Sequence, residues 1–213
     1  MSNPGNHPDT PNIPTSSAVL RIQSSILIDA PIQDVWNALT DTSTYPKWNR
    51  FVPRVTVRKQ PEEDSNTDDA VLRNGTKFTF HVNMYPEKSD SPEPDASGLQ
   101  DTFLQVIEIE TPTTTTTTKT GSAGKGGRIV WASDPDAGGL VSSLLTAERV
   151  HEVSEVEDGN GKMVTEVRNW ESQVGYLAYA VKWMFEGRLR GNFRAWEEGL
   201  KGFVESEARN VGK

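Results

Sequence analysis

The 213-residue chain contains no cysteine and only three histidines. The lack of cysteine excludes disulfides, thiolate nucleophiles, cysteine-ligated zinc and iron–sulfur clusters. His7 lies in a polar N-terminal stretch, so His81 and His151 are the only imidazoles expected in the folded part. We therefore expect no metal site, because a site that needs several histidine or cysteine ligands has too few of them.

Basic charge and long apolar runs are also scarce. The chain has 22 basic and 30 acidic residues, a net charge of −8, so it would gain little from counterion release on a phosphate backbone. Nucleic acid is therefore not an expected partner. No apolar run reaches the roughly 18 to 20 residues that span a bilayer, so we expect no transmembrane segment. We expect a cytoplasmic protein, and the sequence leaves its oligomeric state open.

The first 18 residues differ in composition from the rest of the chain. They contain four prolines and three asparagines, and they lack the charged and apolar regions of a secretory signal. We expect residues 1–18 to form a disordered tail, followed by a single ligand-binding domain over residues 19–208. Acidic or proline-rich connections are expected near residues 61–69 and 86–98, and the threonine-rich stretch around 113–118 predicts a long flexible hairpin loop.

The remaining patterns predict strands followed by one long helix. Residues 20–28 predict a strand, residues 31–40 a short helix, and residues 45–48 a further helical turn. Residues 76–84 alternate so that Phe80 faces inward and His81 faces solvent. Further strands are predicted over residues 52–59, 102–110, 128–132, 144–156 and 163–173. From residue 174 to 203 apolar residues recur every three or four positions, which predicts a helix of about thirty residues. Hairpin-joined strands covered by one helix indicate an α+β fold.

Three segments resemble the SRPBCC or START-like superfamily. They are residues 26–41 (ILIDAPIQDVWNALTD), residues 45–49 (YPKWN) and residues 170–175 (WESQVG), which leads into the long helix as in the polyketide cyclase and dehydrase branch. The resemblance covers about residues 20–205. It implies a helix-grip fold, in which a curved antiparallel sheet of about seven strands wraps around the C-terminal helix and encloses an apolar cavity.

Candidate catalytic residues lie on the last two predicted strands. Arg149 and His151 share one face of their strand, and together they would form an ion-binding or acid/base pair if that face lines the cavity. The cyclase-like branch carries a carboxylate near the position of Glu171, although a carboxylate there could also cap the helix that follows. The sequence leaves open whether Asn169 and Glu171 face the cavity, because neither face of the strand is uniformly apolar.

Candidate ligand-binding residues complete the expected site. Phe80 faces inward by alternation, and the resemblance implies that Trp131 lies at the cavity wall. On the long helix, a second stripe contains Tyr176, Tyr179 and Trp183, followed by Gly187 and Gly191. Each helical glycine costs about 1 kcal/mol against alanine, which suggests a close approach of a ligand or of the sheet.

Three functions fit these observations. The first is a cofactor-independent, polyketide-cyclase-like enzyme that cyclises, dehydrates or isomerises an apolar metabolite. The second is a carrier of lipids, isoprenoids or other hydrophobic ligands, of the START or coenzyme Q-binding type. The third is an interaction module like the chaperone activators of the superfamily. Convergent polar groups in the cavity would favour catalysis, and a purely apolar lining would favour transport.

Overall fold

The computed structural model describes residues 8–61, 70–86, 98–117, 123–137, 139 and 144–211. The acidic connection over residues 62–69, the proline-rich connection over 87–97 and residues 1–7 of the expected tail lie outside this part of the chain.

Seven strands and one long helix make up most of the described chain. Their order is β1 (Leu20–Ile28), α1 (Ile32–Thr40), a 3-10 turn (Thr42–Thr44), α2 (Tyr45–Trp48), β2 (Arg54–Lys59), β3 (Lys77–Val82), β4 (Gln100–Thr117), β5 (Ala123–Ser133), β6 (Thr146–Glu157), β7 (Met163–Val174) and α3 (Tyr176–Val211). No helix in the described part of the chain is long and apolar enough to span a membrane.

The strands form one antiparallel sheet in the order β1-β7-β6-β5-β4-β3-β2. Strands β2 to β7 pair with their sequence neighbours, and β1 closes the other edge against β7. This curved sheet, the long C-terminal helix and the short helices after β1 are the α+β helix-grip fold that the sequence predicts. Strands β4 and β5 extend into the threonine-rich region, so the expected long loop is wrong for residues 113–117 and 123–127.

The core lies between α3 and the sheet face that α3 covers, which we call the inner face. Alternation on β3 turns Phe78, Phe80 and Val82 inward, as predicted. The helix contributes Leu189, Phe193, Trp196, Leu200 and Val204 to the same core. Burial of these apolar side chains is the main force that holds the helix against the sheet.

Two glycines fix where α3 begins and what it packs against. Gly175 has a φ of +103°, a left-handed conformation that glycine adopts without steric cost, and it redirects the chain from β7 into the helix. A Cβ atom at Gly199 would lie 2.4 Å from the carbonyl oxygen of Trp48, so only glycine lets α3 approach α2 this closely.

Asp9 and Asn12 contact the outer face of the sheet, which corrects the expectation of disorder for this part of the tail. The Asn12 backbone N–H and side-chain amide donate to the Glu148 carboxylate at 2.9 and 2.7 Å. The Trp170 indole donates to the Asp9 carbonyl at 3.3 Å, and Ile13 is almost completely buried. The polar composition of the segment concealed these contacts, because they depend on partners more than 130 positions away.

Candidate functional site

The register of β6 and β7 places the predicted catalytic residues on the inner face. Arg149 lies opposite Glu171, and His151 lies opposite Asn169. Paired residues of antiparallel strands point to the same side of a sheet. Val153 and Val167, the next pair on that side, belong to the core under α3. The four polar side chains therefore face the helix.

Buried residues on the outer face explain why the sequence did not decide which side chains of β6 and β7 point inward. Val130, Val150 and Trp170 form a small apolar cluster on the outer face, which the N-terminal segment reaches through Asp9. Both faces of β6 and β7 thus contain buried residues. A simple alternation of apolar and polar residues is lost because the inner face has a polar cluster and the outer face has an apolar one.

His151 is completely buried between two aromatic rings. Its ring centroid lies 4.3 Å from that of Trp131 and 4.8 Å from that of Trp196. Neither ring nitrogen has a hydrogen-bond partner in the described structure. Burial, with a further contribution from the Arg149 charge, lowers the pKa of His151 well below its usual value. The imidazole is therefore neutral near pH 7, and one of its ring nitrogens has a free lone pair.

Arg149 is a buried cation against an aromatic surface. Its guanidinium carbon lies 3.9 Å from the ring centroid of Phe193 and 5.3 Å from that of Trp196. Its Nε donates to the Asn169 side-chain oxygen at 2.9 Å, and its Nη2 has no partner among the described residues. Burial lowers the pKa of Arg149, while Glu171 and Glu197 raise it.

Two carboxyl groups lie near this cation. Glu171 accepts a hydrogen bond from the Gln173 amide at 2.6 Å, and burial raises the pKa of Glu171 against the opposing effect of Arg149. Glu197, on α3, is only 3% exposed, and burial raises its pKa to about 7. A carboxyl with a pKa in that range can donate or accept a proton near neutral pH.

Sequence analysis did not identify Glu197 as a candidate residue. The structure buries it because positions 193, 197, 200 and 204 follow one helical stripe, three or four residues apart. That spacing was the signal that could have identified Glu197. The spacing was not applied to Glu197, because a charged residue on a helix is usually exposed.

His151 belongs to a closed series of contacts between aromatic side chains. Successive ring centroids lie 4.3 to 6.1 Å apart around the series Trp131, His151, Trp196, Trp48, Tyr45 and Phe80, which closes back on Trp131. The predicted inward positions of Phe80 and Trp131 agree with this arrangement. The Trp131 indole nitrogen is buried without a hydrogen-bond partner among the described residues.

The structure does not bring Tyr176, Tyr179 and Trp183 to this site. Their exposed fractions are 83%, 66% and 86%, so their predicted placement against an interior ligand is wrong. Each lies two residues before a position that faces the core or packs against it, namely Ala178, Val181 or Phe185. Two residues correspond to about 200° around a helix of 3.6 residues per turn, so the three aromatic side chains point away from the sheet.

The glycines that follow them are also not explained by a close approach. A Cβ atom at Gly187 or Gly191 would have no described atom of another element within 4 Å. The described structure shows no packing requirement for glycine at either position.

His81 lies outside the site, on the opposite face of β3 from Phe80. Its Nδ1 lies 2.7 Å from an Asp101 carboxylate oxygen, and its Nε2 lies 2.8 Å from the Thr56 hydroxyl. The expectation that His81 faces solvent is wrong: the residue lies on the outer face, as alternation requires, but these partners cover the ring and leave it mostly buried. Within the described ranges, no group of three or more histidine, aspartate or glutamate side chains is arranged to hold a metal ion.

Solved structures share this architecture. A hypothetical protein from Helicobacter pylori superposes with a TM-score of 0.64 at 16% identity, over 96% of this chain and 99% of that one. A START superfamily protein from Mycobacterium smegmatis superposes with a TM-score of 0.53 at 11% identity, over 87% and 97% of the two chains. At these identities the likeness shows the fold alone.

Sequence comparison is more specific. The chain is 36% identical over 201 residues to the oxopyrrolidines biosynthesis cluster protein O of Penicillium oxalicum, and the match covers 93% of each protein. The family model described as polyketide cyclase / dehydrase and lipid transport matches residues 19–211, which include the whole sheet and α3. The chain therefore belongs to the polyketide cyclase / dehydrase and lipid transport family.

Proposed function

We propose that the protein is a cofactor-independent enzyme of small-molecule biosynthesis. It moves protons on an apolar, carbonyl-bearing substrate and so catalyses a cyclisation, dehydration or isomerisation. The observation that carries this proposal is the convergence of a neutral histidine, a buried arginine and two carboxyls of raised pKa on the inner face. Perturbed titratable groups that converge in a protein interior are typical of active sites.

The energetics of these groups favour catalysis over passive transport. Buried polar atoms without partners cost stability, commonly about 1–3 kcal/mol each, and a carrier of apolar ligands would gain nothing from them. The cluster contains several such atoms, among them both ring nitrogens of His151 and the Nη2 of Arg149. A substrate that hydrogen-bonds to these atoms would offset their cost in the complex.

Each polar residue has a role that its environment permits. His151, neutral because it is buried, acts as the general base that removes a proton beside a carbonyl group. Glu171 and Glu197 hold protons more readily than ordinary carboxyls and act as general acids toward an oxygen that departs or becomes protonated. Trp131, Asn169 and Phe80 hold the substrate.

The surrounding aromatic side chains contribute binding geometry. Flat rings restrain an apolar substrate in a folded conformation, and an intramolecular reaction gains rate when its reacting groups are held together. The relative from Penicillium oxalicum carries a name from an oxopyrrolidines biosynthesis cluster, which supports a carbonyl-bearing metabolite as the substrate class.

The test uses an apolar extract of the native host, because the substrate need not be identified before the experiment begins. The protein is incubated with the extract in D2O, and mass spectrometry identifies compounds that are retained, dehydrated or labelled with deuterium. We expect at least one compound to be converted. His151→Ala and Glu171→Gln should lower the conversion at least tenfold while they change its retention by only a few-fold.

His81→Ala is the matched control, because His81 is also a mostly buried histidine but lies on the other face of the sheet. It should leave conversion unchanged. Retention without any conversion would contradict the enzyme and indicate a carrier. The absence of any retained compound would contradict both functions and favour an interaction module.

A further inference from the structure

Arg149 is less well paired than a buried cation normally is. The residue is 5% exposed, and among the described residues its one hydrogen-bond partner is the neutral Asn169 amide, at 2.9 Å. No carboxylate of the described chain forms an ion pair with it within 4 Å, although Glu171 lies opposite it in the β-ladder. A buried charge without an ion pair at contact distance is unfavourable. The folded protein therefore maintains an unfavourable charge at this position.

The polar groups next to Arg149 present hydrogen-bond donors. Asn169, to which it is bonded, has a buried Nδ2 without a partner among the described residues. Trp131, which lies opposite it on β5, has a buried Nε1 in the same condition. Together with Arg149 Nη2, these atoms are N–H groups that can only donate. Such a group of donors matches a ligand with acceptor oxygens rather than another donor.

Unpartnered acceptors lie elsewhere in the cluster. Gln173 and Glu197 each have one buried side-chain oxygen without a partner in the described part of the chain. Glu171 already accepts a hydrogen bond from Gln173, and neither Glu171 nor Glu197 forms an ion pair with Arg149 within 4 Å. The charge at Arg149 is therefore only partly neutralised by the protein itself.

Aromatic surfaces define the shape of the ligand that fits beside the cation. The guanidinium carbon lies 3.9 Å from the Phe193 ring centroid, and the rings of Trp131 and Trp196 flank His151 one position away on the same face. Parallel N–H donors of an arginine pair best with a planar group that has two oxygens. A flat ligand satisfies both the donors and the rings.

We propose that the ligand of this site is an anion whose charge is delocalised over two oxygens of a flat, apolar body, and that Arg149 is its charge partner. This inference rests on the proposed function, since it names the chemical class of the substrate at the same site. Enolates of acidic 1,3-dicarbonyl compounds and aromatic carboxylates both have this chemistry.

The experiment compares anions with neutral partners of nearly the same shape. The first pair is 2-phenylcyclohexane-1,3-dione, an enolate at about pH 8, and its methyl enol ether; the second is 2-naphthoate and methyl 2-naphthoate. Binding is measured by calorimetry and by quenching of tryptophan fluorescence. We expect at least one anion to bind the wild-type protein at least tenfold more tightly than its methylated partner. Preference within the first or second pair distinguishes an enolate from a carboxylate ligand.

Arg149→Met tests the charge partner directly. It should bring the affinities of the preferred anion and its neutral partner within about threefold of each other. Its thermal midpoint should equal or exceed that of the wild type, because the variant removes a poorly paired buried charge. Arg149→Lys, which keeps the charge but loses the planar fork, should retain a weakened anion preference. Arg168→Met, on the outer face of β7, is the matched control and should leave the preference unchanged.

Equal binding of anion and neutral partner by the wild type would overturn the anionic ligand, while conversion of a host compound would still support the enzyme. An unchanged preference in Arg149→Met would overturn the role of Arg149. If none of the four compounds binds, the proposed ligand class is wrong, and the extract experiment then decides separately whether the protein is an enzyme. If Arg149→Met does not fold, the wild-type comparison and Arg149→Lys decide the question.

Discussion

The two halves of α3 contain similar residues in opposite environments. In the N-terminal half, residues 176–193, Trp183 is 86% exposed; in the C-terminal half, residues 194–211, Trp196 is 1% exposed. The glycines differ in the same way, since Gly187 has open space at its Cβ position and Gly199 contacts the backbone of α2. Residue type therefore does not decide burial on this helix. Position relative to the sheet and to α2 decides it.

The carboxyl groups of the C-terminal half repeat the contrast at adjacent positions. Glu197 is buried near Arg149, whereas Glu198 is exposed. One residue turns a side chain by about 100° around the helix, which is enough to move it from the core to solvent. Substitutions in matched pairs therefore test whether the two halves differ as described, and we expect the tryptophans to differ most and the open glycines least.

The tryptophan pair should give the largest difference. Trp196→Ala removes a fully buried ring that contacts Trp48 and His151, and we expect it to lower the free energy of unfolding by about 3–5 kcal/mol. Trp183→Ala should change it by less than about 0.5 kcal/mol, because its side chain is exposed. Urea unfolding followed by circular dichroism measures both. Equal losses would show that α3 is not held by the sheet as described.

Substitution of Glu197, but not of Glu198, should change how the stability of the protein depends on pH. The pKa of Glu197 is about 7 in the folded protein and near its ordinary 4.5 when unfolded, so folding favours its protonated form. This contribution to stability is complete below about pH 4.5, decreases as the pH rises through about 7, and is constant above that. Glu197→Gln should remove this loss, and at about pH 8 it should stabilise the protein by up to about 3 kcal/mol. The free energy of unfolding, measured from pH 4 to 8, tests whether stability is lost over this pH range. An equal gain in stability at pH 8 for Glu198→Gln would refute the assignment of the effect to Glu197.

Gly199→Ala should destabilise the protein by about 1–3 kcal/mol. The new Cβ atom would lie 2.4 Å from the Trp48 carbonyl oxygen, and either α2 or α3 must shift to relieve the overlap. Gly202→Ala is the control, since it lies one turn later and has no described neighbour within 4 Å. Thermal unfolding of the two variants measures the difference. A Gly199→Ala variant as stable as the wild type would mean that α2 is not packed this closely.

The smallest effect is expected at the open glycines. Gly187→Ala and Gly191→Ala should each stabilise the protein by about 0.5–1 kcal/mol, because alanine is the better helix former and meets no described atom of another element. Differential scanning calorimetry of the single and double variants checks the gain and its additivity. A loss of stability at either position would indicate that something approaches this face of α3 in solution.

The local patterns of the sequence predicted most of the fold. Alternation identified β3 and its inward Phe80, and the three-to-four-residue spacing identified α3 and its buried stripe from Leu189 to Leu200. These signals are reliable because each strand or helix repeats its own geometry every two or 3.6 residues. The site was predicted less completely. Arg149, His151, Asn169 and Glu171 were recognised as candidates, but their side of the sheet remained undecided.

The predictions were wrong where the environment of a residue depends on distant segments. The N-terminal segment was expected to be disordered, yet Asn12 pairs with Glu148 and covers part of the outer face. Tyr176, Tyr179 and Trp183 were expected at the site because they form a second stripe on the helix, followed by two glycines. They lie on the far side of a helix that has a sheet on only one side.

Most of the secondary structure, the antiparallel order of the hairpins and the family follow from residue spacing and contiguous motifs, so the sequence by itself determines them. Folding in three dimensions was needed to settle which face of β6 and β7 is inward, that Glu197 joins Arg149 in the core, and that Trp183 does not. Burial and electrostatic environment are properties of packed neighbours. The neighbours of the polar cluster come from β5, β6, β7 and α3, so no local pattern in the chain could specify them.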